Sequence, residues 1–248
     1  MIKAFVAASV AVLAATAALG APADVRTALA APDRPKEAVA LDGVRKPAEV
    51  LAFLGLEKGD RVLDYFTGTG YYAEIMAKAV GPKGVVLGWN PAPFAVKAKD
   101  RIAATRAGDP NLSFYATPAT AFGFPTATYD FAMLHLVYHD AYWESADFGV
   151  PRTDPAALVQ ALWQAVKPGG IVAVIDHHAA PGGDTRAVVD KLHRIDPAVV
   201  RADFEKAGFV LEAQSELLRV PEDDLTKNVF DPAIRGRTDR FVYRFRRP

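Results

Sequence analysis

The chain alternates short apolar runs with amphipathic stretches, and turn residues separate them. Arg61 to Asp64, Gly84 to Gly88, Leu112 to Tyr115, Tyr129 to Leu134 and Ile171 to Ile175 read as buried strands. Helical spacing of apolar residues marks Lys46 to Leu54, Tyr71 to Val80, Phe94 to Ala107, Pro155 to Val166 and Pro197 to Ala207. Pro47 suits a first helical turn, and Gly81-Pro82 and Gly208 suit helix ends. Phe209 to Val220 and Phe241 to Phe245 read as the last two strands; Phe241, Tyr243 and Phe245 alternate with polar residues there. Strands that alternate with helices predict an α/β fold with a doubly wound, mostly parallel sheet and helices on both faces. Ligands of such sheets sit beyond the carboxyl ends of the strands.

Arg61 to Pro91 is the most informative unit: strand, Gly-rich turn, helix, Pro/Gly break and second strand. Gly68 and Gly70 allow a sharp turn and leave no side chain in a ligand's way. The following helix would aim its free N–H groups at that ligand. This is how an α/β sheet builds a nucleotide site, and dinucleotide and flavin binders use such a unit.

Composition narrows the classes. The 248 residues are half apolar, and 29 Lys+Arg balance 29 Asp+Glu. That predicts a packed globule and no nucleic-acid partner. With no cysteine in the chain, disulfides, thiolate metal sites and cysteine nucleophiles are excluded. Residues 1–20 have the pattern of a signal peptide: Lys3, an apolar run from Ala4 to Leu19, and Ala18-Leu19-Gly20 before Ala21. The expectation is an exported, periplasmic protein with no stable membrane span once the leader is cleaved. Residues 21–42, rich in Ala and Pro, read as a linker, and 43–248 as one α/β domain. Nothing in the sequence assigns an oligomeric state.

Four pieces together resemble the class I S-adenosylmethionine-dependent methyltransferases: VLDYFTGTG, VVLGWNP, the stretch from Asn111 to Met133, and LWQAVKPGGIVAVID. YHD, DHH, LHRID and RGRTDRF further resemble a subgroup of exported, predicted methyltransferases. The resemblance implies a seven-stranded Rossmann-like sheet with an antiparallel last strand. It implies S-adenosylmethionine as cofactor, held by Asp64, Thr67, Gly68, Gly70, Asn90 and Ala119. Three positions depart from the family pattern: Phe66 where Gly is usual, Asn90 where an acid is usual, and Pro118 where Asp is usual.

A polar edge supplies the candidate chemistry. His135, His139 and Asp140 follow the fourth strand; Asp176, His177 and His178 follow the fifth. Methyl transfer needs an aligned acceptor and, for a hydroxyl or amine, a base. His139 is the expected base, oriented by Asp140 or Asp176, with His177 the next candidate. His193 and Asp196 approach from the following segment. Asp176, His177 and His139 are also ligand types for a metal, but the spacing has no HxH or HxxxH, and no metal is assigned. Tyr71, Tyr72, Tyr138, Tyr142 and Trp143 either line a pocket or pack the core. RGRTDRF is either a solvated turn or an anion clamp. The leading reading is methyl transfer to a small-molecule acceptor. The alternatives are a non-catalytic ligand-binding protein on the same fold, and a metal-dependent enzyme.

Overall fold

The computed structural model describes residues 20–248, so the leader reading lies outside the described residues. Seven strands form one sheet: β1 Arg61–Tyr65, β2 Val85–Pro91, β3 Leu112–Thr117, β4 Tyr129–His135, β5 Val166–His177, β6 Val210–Ser215 and β7 Arg240–Arg246. Their order is β3-β2-β1-β4-β5-β7-β6. β7 runs antiparallel to both β5 and β6, and the other pairings are parallel. This is the expected doubly wound sheet with an antiparallel last strand.

The helices are α1 Val25–Leu29, α2 Lys36–Val39, α3 Asp42–Arg45, α4 Pro47–Leu54, α5 Tyr71–Val80, α6 Ala92–Lys97, α7 Lys99–Gly108, α8 Pro155–Ala165, α9 Thr185–Leu192 and α10 Pro197–Lys206. Alternation along each strand divides the core between the two faces of the sheet. Val62, Phe131, Met133, Ala173 and Ile175 pack with α4 and α5. Leu63, Tyr65, Ala132, Leu134, Val172 and Val174 pack with α8 and α10. α5 is buried along its whole length except at Lys78. Asp154, Asp184 and Asp196 cap α8, α9 and α10 by accepting from backbone N–H groups, worth about 1 kcal/mol each.

The sequence reading and the structure differ in four places. The segment read as a linker carries α1 and α2, and Val25, Ala28 and Ala38 are buried in the core. Its Ala and Pro content hides this docking, because small residues give weak periodicity. The helix read over Phe94 to Ala107 is two helices that break at Ala98. α9 lies in a stretch to which the pattern assigns no element; it is an eight-residue amphipathic helix of which only Val189 is fully buried. β6 stops at Ser215, short of Val220, because Asp239 draws the chain away by accepting from Val220 N–H and Arg219.

Beyond β5 the carboxyl-end loops are held by a fully buried ion pair. Arg194 donates to both oxygens of Asp223, at 2.7 and 3.2 Å, and to the carbonyls of His178 and Lys227. Replacing Arg194 with Met removes those four bonds and strands a buried carboxylate. The expected loss is about 3–5 kcal/mol, read as a lower midpoint in denaturant unfolding.

Candidate functional site

The site follows from register. Asp64 pairs with Gly88 on one side and Met133 on the other, and His135 pairs with Ile175. The ends of β1, β2, β4 and β5 therefore share one edge, and the loops leaving them meet there.

The loop after β1 is the tightest element. Phe66 has φ +53°, Gly68 +60° and Gly70 +87°. An aromatic residue in this left-handed region is strained, on the order of 1–3 kcal/mol. Gly70 begins α5, and a Cβ there would lie 3.1 Å from the Phe114 ring. Thr67 donates its hydroxyl to Asp64 at 2.5 Å. Asn90 Oδ1 accepts from Gly68 N–H and its Nδ2 donates to Gly68 O, both at 2.9 Å. Asn90 is 1% exposed. It thus braces the Gly loop from behind, in contrast to the ligand-facing role expected of it.

A cleft of about 250 Å³ opens in front of this loop, lined by Arg45, Asp64, Phe66, Thr67, Gly68, Tyr72 and His135 among others. Arg45 stacks on Tyr71 at 4.2 Å, and no carboxylate among the described residues lies in salt-bridge contact with it. His135 Nε2 is buried without a hydrogen-bond partner. Burial, with Arg45 and Arg240 adding to it, holds the His135 pKa well below its ordinary value, so the ring is neutral. Arg45 and this orphan nitrogen are features that sequence reasoning missed or left unassigned. Neither has a local motif; both depend on what α3 and β4 bring together.

Phe66 also borders a second, narrow apolar pocket with Tyr65, Pro91, Phe94, Ala119, Phe122, Trp143 and Leu158. Asp140 is the one carboxylate on its wall among the described residues. The Phe66 and Phe94 rings meet edge to face at 4.9 Å between the two spaces.

Behind Asp140 lies the polar edge. His139 is 4% exposed. Its Nδ1 is 2.8 Å from Asp176 Oδ1, and its backbone N–H donates to Asp176 Oδ2 at 2.9 Å. Its Nε2 is 3.4 Å from Asp140 Oδ1. Burial opposes charge on His139, but the carboxylates of Asp176 and Asp140 outweigh it and push the pKa up to about 9. Burial pushes Asp140 up to about 6. His193 joins this cluster, with Nδ1 4.0 Å from Asp140. His177 stands apart: its Nδ1 bonds Thr238 Oγ1 at 2.8 Å, and it lines neither space. Asp196 caps α10 and stays outside the site.

The aromatics divide. Tyr71 and Tyr72 line the cleft and Trp143 the apolar pocket. Tyr138 and Tyr142 both donate to Asp203, at 2.7 and 2.5 Å, and are structural. The RGRTDRF segment divides: Arg235, Gly236 and Arg237 are exposed at a turn, and Thr238, Asp239 and Arg240 are buried. Its Arg240 is buried, donating to Thr238 Oγ1 and to the carbonyls of Val44 and Gly236.

A family model described as a methyltransferase domain matches residues 56–231. The chain belongs to the methyltransferase domain family. A demethylmenaquinone methyltransferase of Listeria monocytogenes is 26% identical over 129 residues, 52% of this chain and 49% of the relative. A protein-L-isoaspartate O-methyltransferase of Ignicoccus hospitalis is 37% identical over 76 residues, 30% of this chain and 35% of the relative. The match thus spans about half or less of these curated relatives. A SAM-dependent methyltransferase from Aquifex aeolicus superimposes with TM-score 0.61 at 19% identity, covering 91% of this chain and 99% of that one. This last likeness carries the fold.

In this methyltransferase domain Asp64 is the acid of the Gly loop, and burial pushes it from its ordinary 3.8 to about 7, against the Thr67 hydroxyl. Between those values the unfolded chain releases the proton first, so Asp64's contribution to stability falls as pH rises and levels off above about 7. Asp64→Asn removes this part, on the order of 1.4 kcal/mol per pH unit at most. Asp60 and Asp140, also raised to about 6, keep a slope of the same sign. Unfolding midpoints from pH 4 to 8 should therefore fall less steeply in the variant than in the wild type.

Proposed function

We propose that this domain uses S-adenosylmethionine to methylate a small acceptor with an apolar body and a hydroxyl or amine. The observation that carries the reading is Asp140, the one carboxylate on the wall of a mostly apolar pocket that shares Phe66 with the Gly-loop cleft. The residues of the cleft fit the cofactor's charges. Asp64 suits its cationic centres, Arg45 its carboxylate, and Gly68 and Gly70 let backbone approach closely. When bound, the cofactor supplies an electrophilic methyl on sulfonium sulfur.

The chain's own part is alignment and proton handling. The acceptor's lone pair forms the new bond to carbon, the sulfur–carbon bond breaks, and its electron pair stays on sulfur. Cleft and pocket hold the two partners end to end, which is where most of the rate comes from. The acceptor's proton leaves toward Asp140, the group that faces the pocket. A base at His139 is reached only through Asp140, because His139 Nδ1 is engaged by Asp176 and Nε2 points at Asp140.

Two outcomes test the reading. Titration calorimetry should show micromolar binding of S-adenosylmethionine or S-adenosylhomocysteine, about −8 kcal/mol. Gly70→Val should abolish it, since φ +87° and the Phe114 ring exclude a side chain. Absence of binding by the wild type would sink the proposal. With an acceptor found by screening, Asp140→Asn should lower turnover about 100-fold or more and leave cofactor affinity unchanged; a change in affinity alone would remove Asp140 from the chemistry.

A further inference from the structure

We propose that His139, Asp140 and His193 form a binding site for a divalent transition-metal ion, with Asp176 as the buried carboxylate that orients His139. His139 Nε2, Asp140 Oδ1 and His193 Nδ1 all lie within 4.8 Å of one another. Ligands of a tetrahedral ion at about 2.0–2.1 Å stand roughly 3.4 Å apart. The His139–Asp140 pair is already at 3.4 Å, and His193, 4.0 Å from Asp140 and within 4.8 Å of His139, has to close by about 1.4 Å or less.

Three further features set this cluster apart from a chance meeting of polar groups. First, among the described residues the ligand atoms of these three side chains meet only one another, at 3.4 and 4.0 Å from Asp140 Oδ1, although His139 is buried and the His193 and Asp140 side chains are only 13% and 22% exposed. Groups with strong donors and acceptors are rarely left so unless something else binds them. Second, His139 hands its other ring nitrogen to Asp176, which is wholly buried. That fixes the ring and directs Nε2 at the cluster, the usual arrangement behind a metal-bound imidazole. Third, His193 is held in place at some cost. It takes φ +49° just beyond α9, and its ring is wedged between Trp143 and Phe230, each 5.0 Å away.

Two imidazoles and one carboxylate suit zinc, iron(II) or cobalt(II) better than calcium or magnesium, which favour all-oxygen sites. Three protein ligands leave coordination positions open. Asp140 also lines the apolar pocket, so those positions are reached from there. On the transferase reading, an acceptor oxygen would meet the ion at that point, and the cation would ease loss of its proton. The metal site itself does not depend on that reading.

The test uses the full-length protein, stripped with chelator and titrated with Co²⁺ alone, without cofactor or acceptor. Saturable binding of one equivalent is expected, with visible ligand-field absorption characteristic of mixed nitrogen and oxygen ligands. His193→Asn keeps a residue that tolerates the left-handed backbone and should weaken binding about 100-fold while preserving the unfolding midpoint. Asp176→Asn should weaken it about 10- to 100-fold. Glu144→Gln, an exposed carboxylate paired with Arg152, should leave it unchanged. No saturable Co²⁺ binding by the wild type, or binding that survives His193→Asn intact, would overturn the proposal. Because no methyl donor is present, neither result bears on whether the domain binds S-adenosylmethionine.

Discussion

Asp176 has no exposed surface, and three N–H groups converge on it: the backbone of His139 and of His177, and the His139 ring. A buried carboxylate is costly unless donors surround it, and here those donors come from two different strand ends. The loop after β4 is thereby tied to the end of β5. His139 is held rigidly, and Asp140, next in sequence, is delivered to the apolar pocket. Cutting this link would leave the sheet standing but free the loop on which the candidate chemistry sits.

Strain accumulates around the same edge. Phe66, Leu136 and His193 all take left-handed backbone without being glycine, and each borders the cleft, the pocket or the polar cluster. Such conformations persist only where surrounding structure over-determines them. Phe66 is held by the Asn90 brace on the neighbouring Gly68 and by Phe94. Leu136 is pinned by its N–H bond to Ile175 O at 2.7 Å. The two departures from the family pattern at Phe66 and Asn90 are linked in this way. Asn90 supports the loop that Phe66 distorts, and a carboxylate at residue 90 could not donate to Gly68 O as the amide does.

The cleft also shows how charge is balanced without pairing. Arg45 and Arg240 sit near Tyr72 and His135 with no carboxylate in contact among the described residues. Burial lowers the pKa of both, yet arginine keeps its proton, so the edge beside Asp64 stays cationic. His135 answers by remaining neutral. A cleft lined by one acid, Asp64, and one arginine without a carboxylate partner, Arg45, is set up for a ligand that carries both signs.

Period-two strands, helix spacing, Gly68-Gly70 and the LWQAVKPGGIVAVID stretch were enough to predict the sheet and its ligand-bearing edge, because these are local signals. Asp64, His139, Asp140 and Asp176 were legible for the same reason: each ends a strand or follows one. What the sequence alone could not fix was orientation. Which way Asn90 turns, whether His177 faces the cleft or Thr238, and that His193 returns to meet Asp140 depend on side-chain packing between segments far apart in the chain. Arg45 had no motif to mark it. Its role comes from α3 folding over the mouth of β1 and β4. Local pattern determined the fold and placed the polar residues at one edge; only tertiary packing decided which of them face the ligand, because burial and hydrogen-bond competition are settled between elements and not within them.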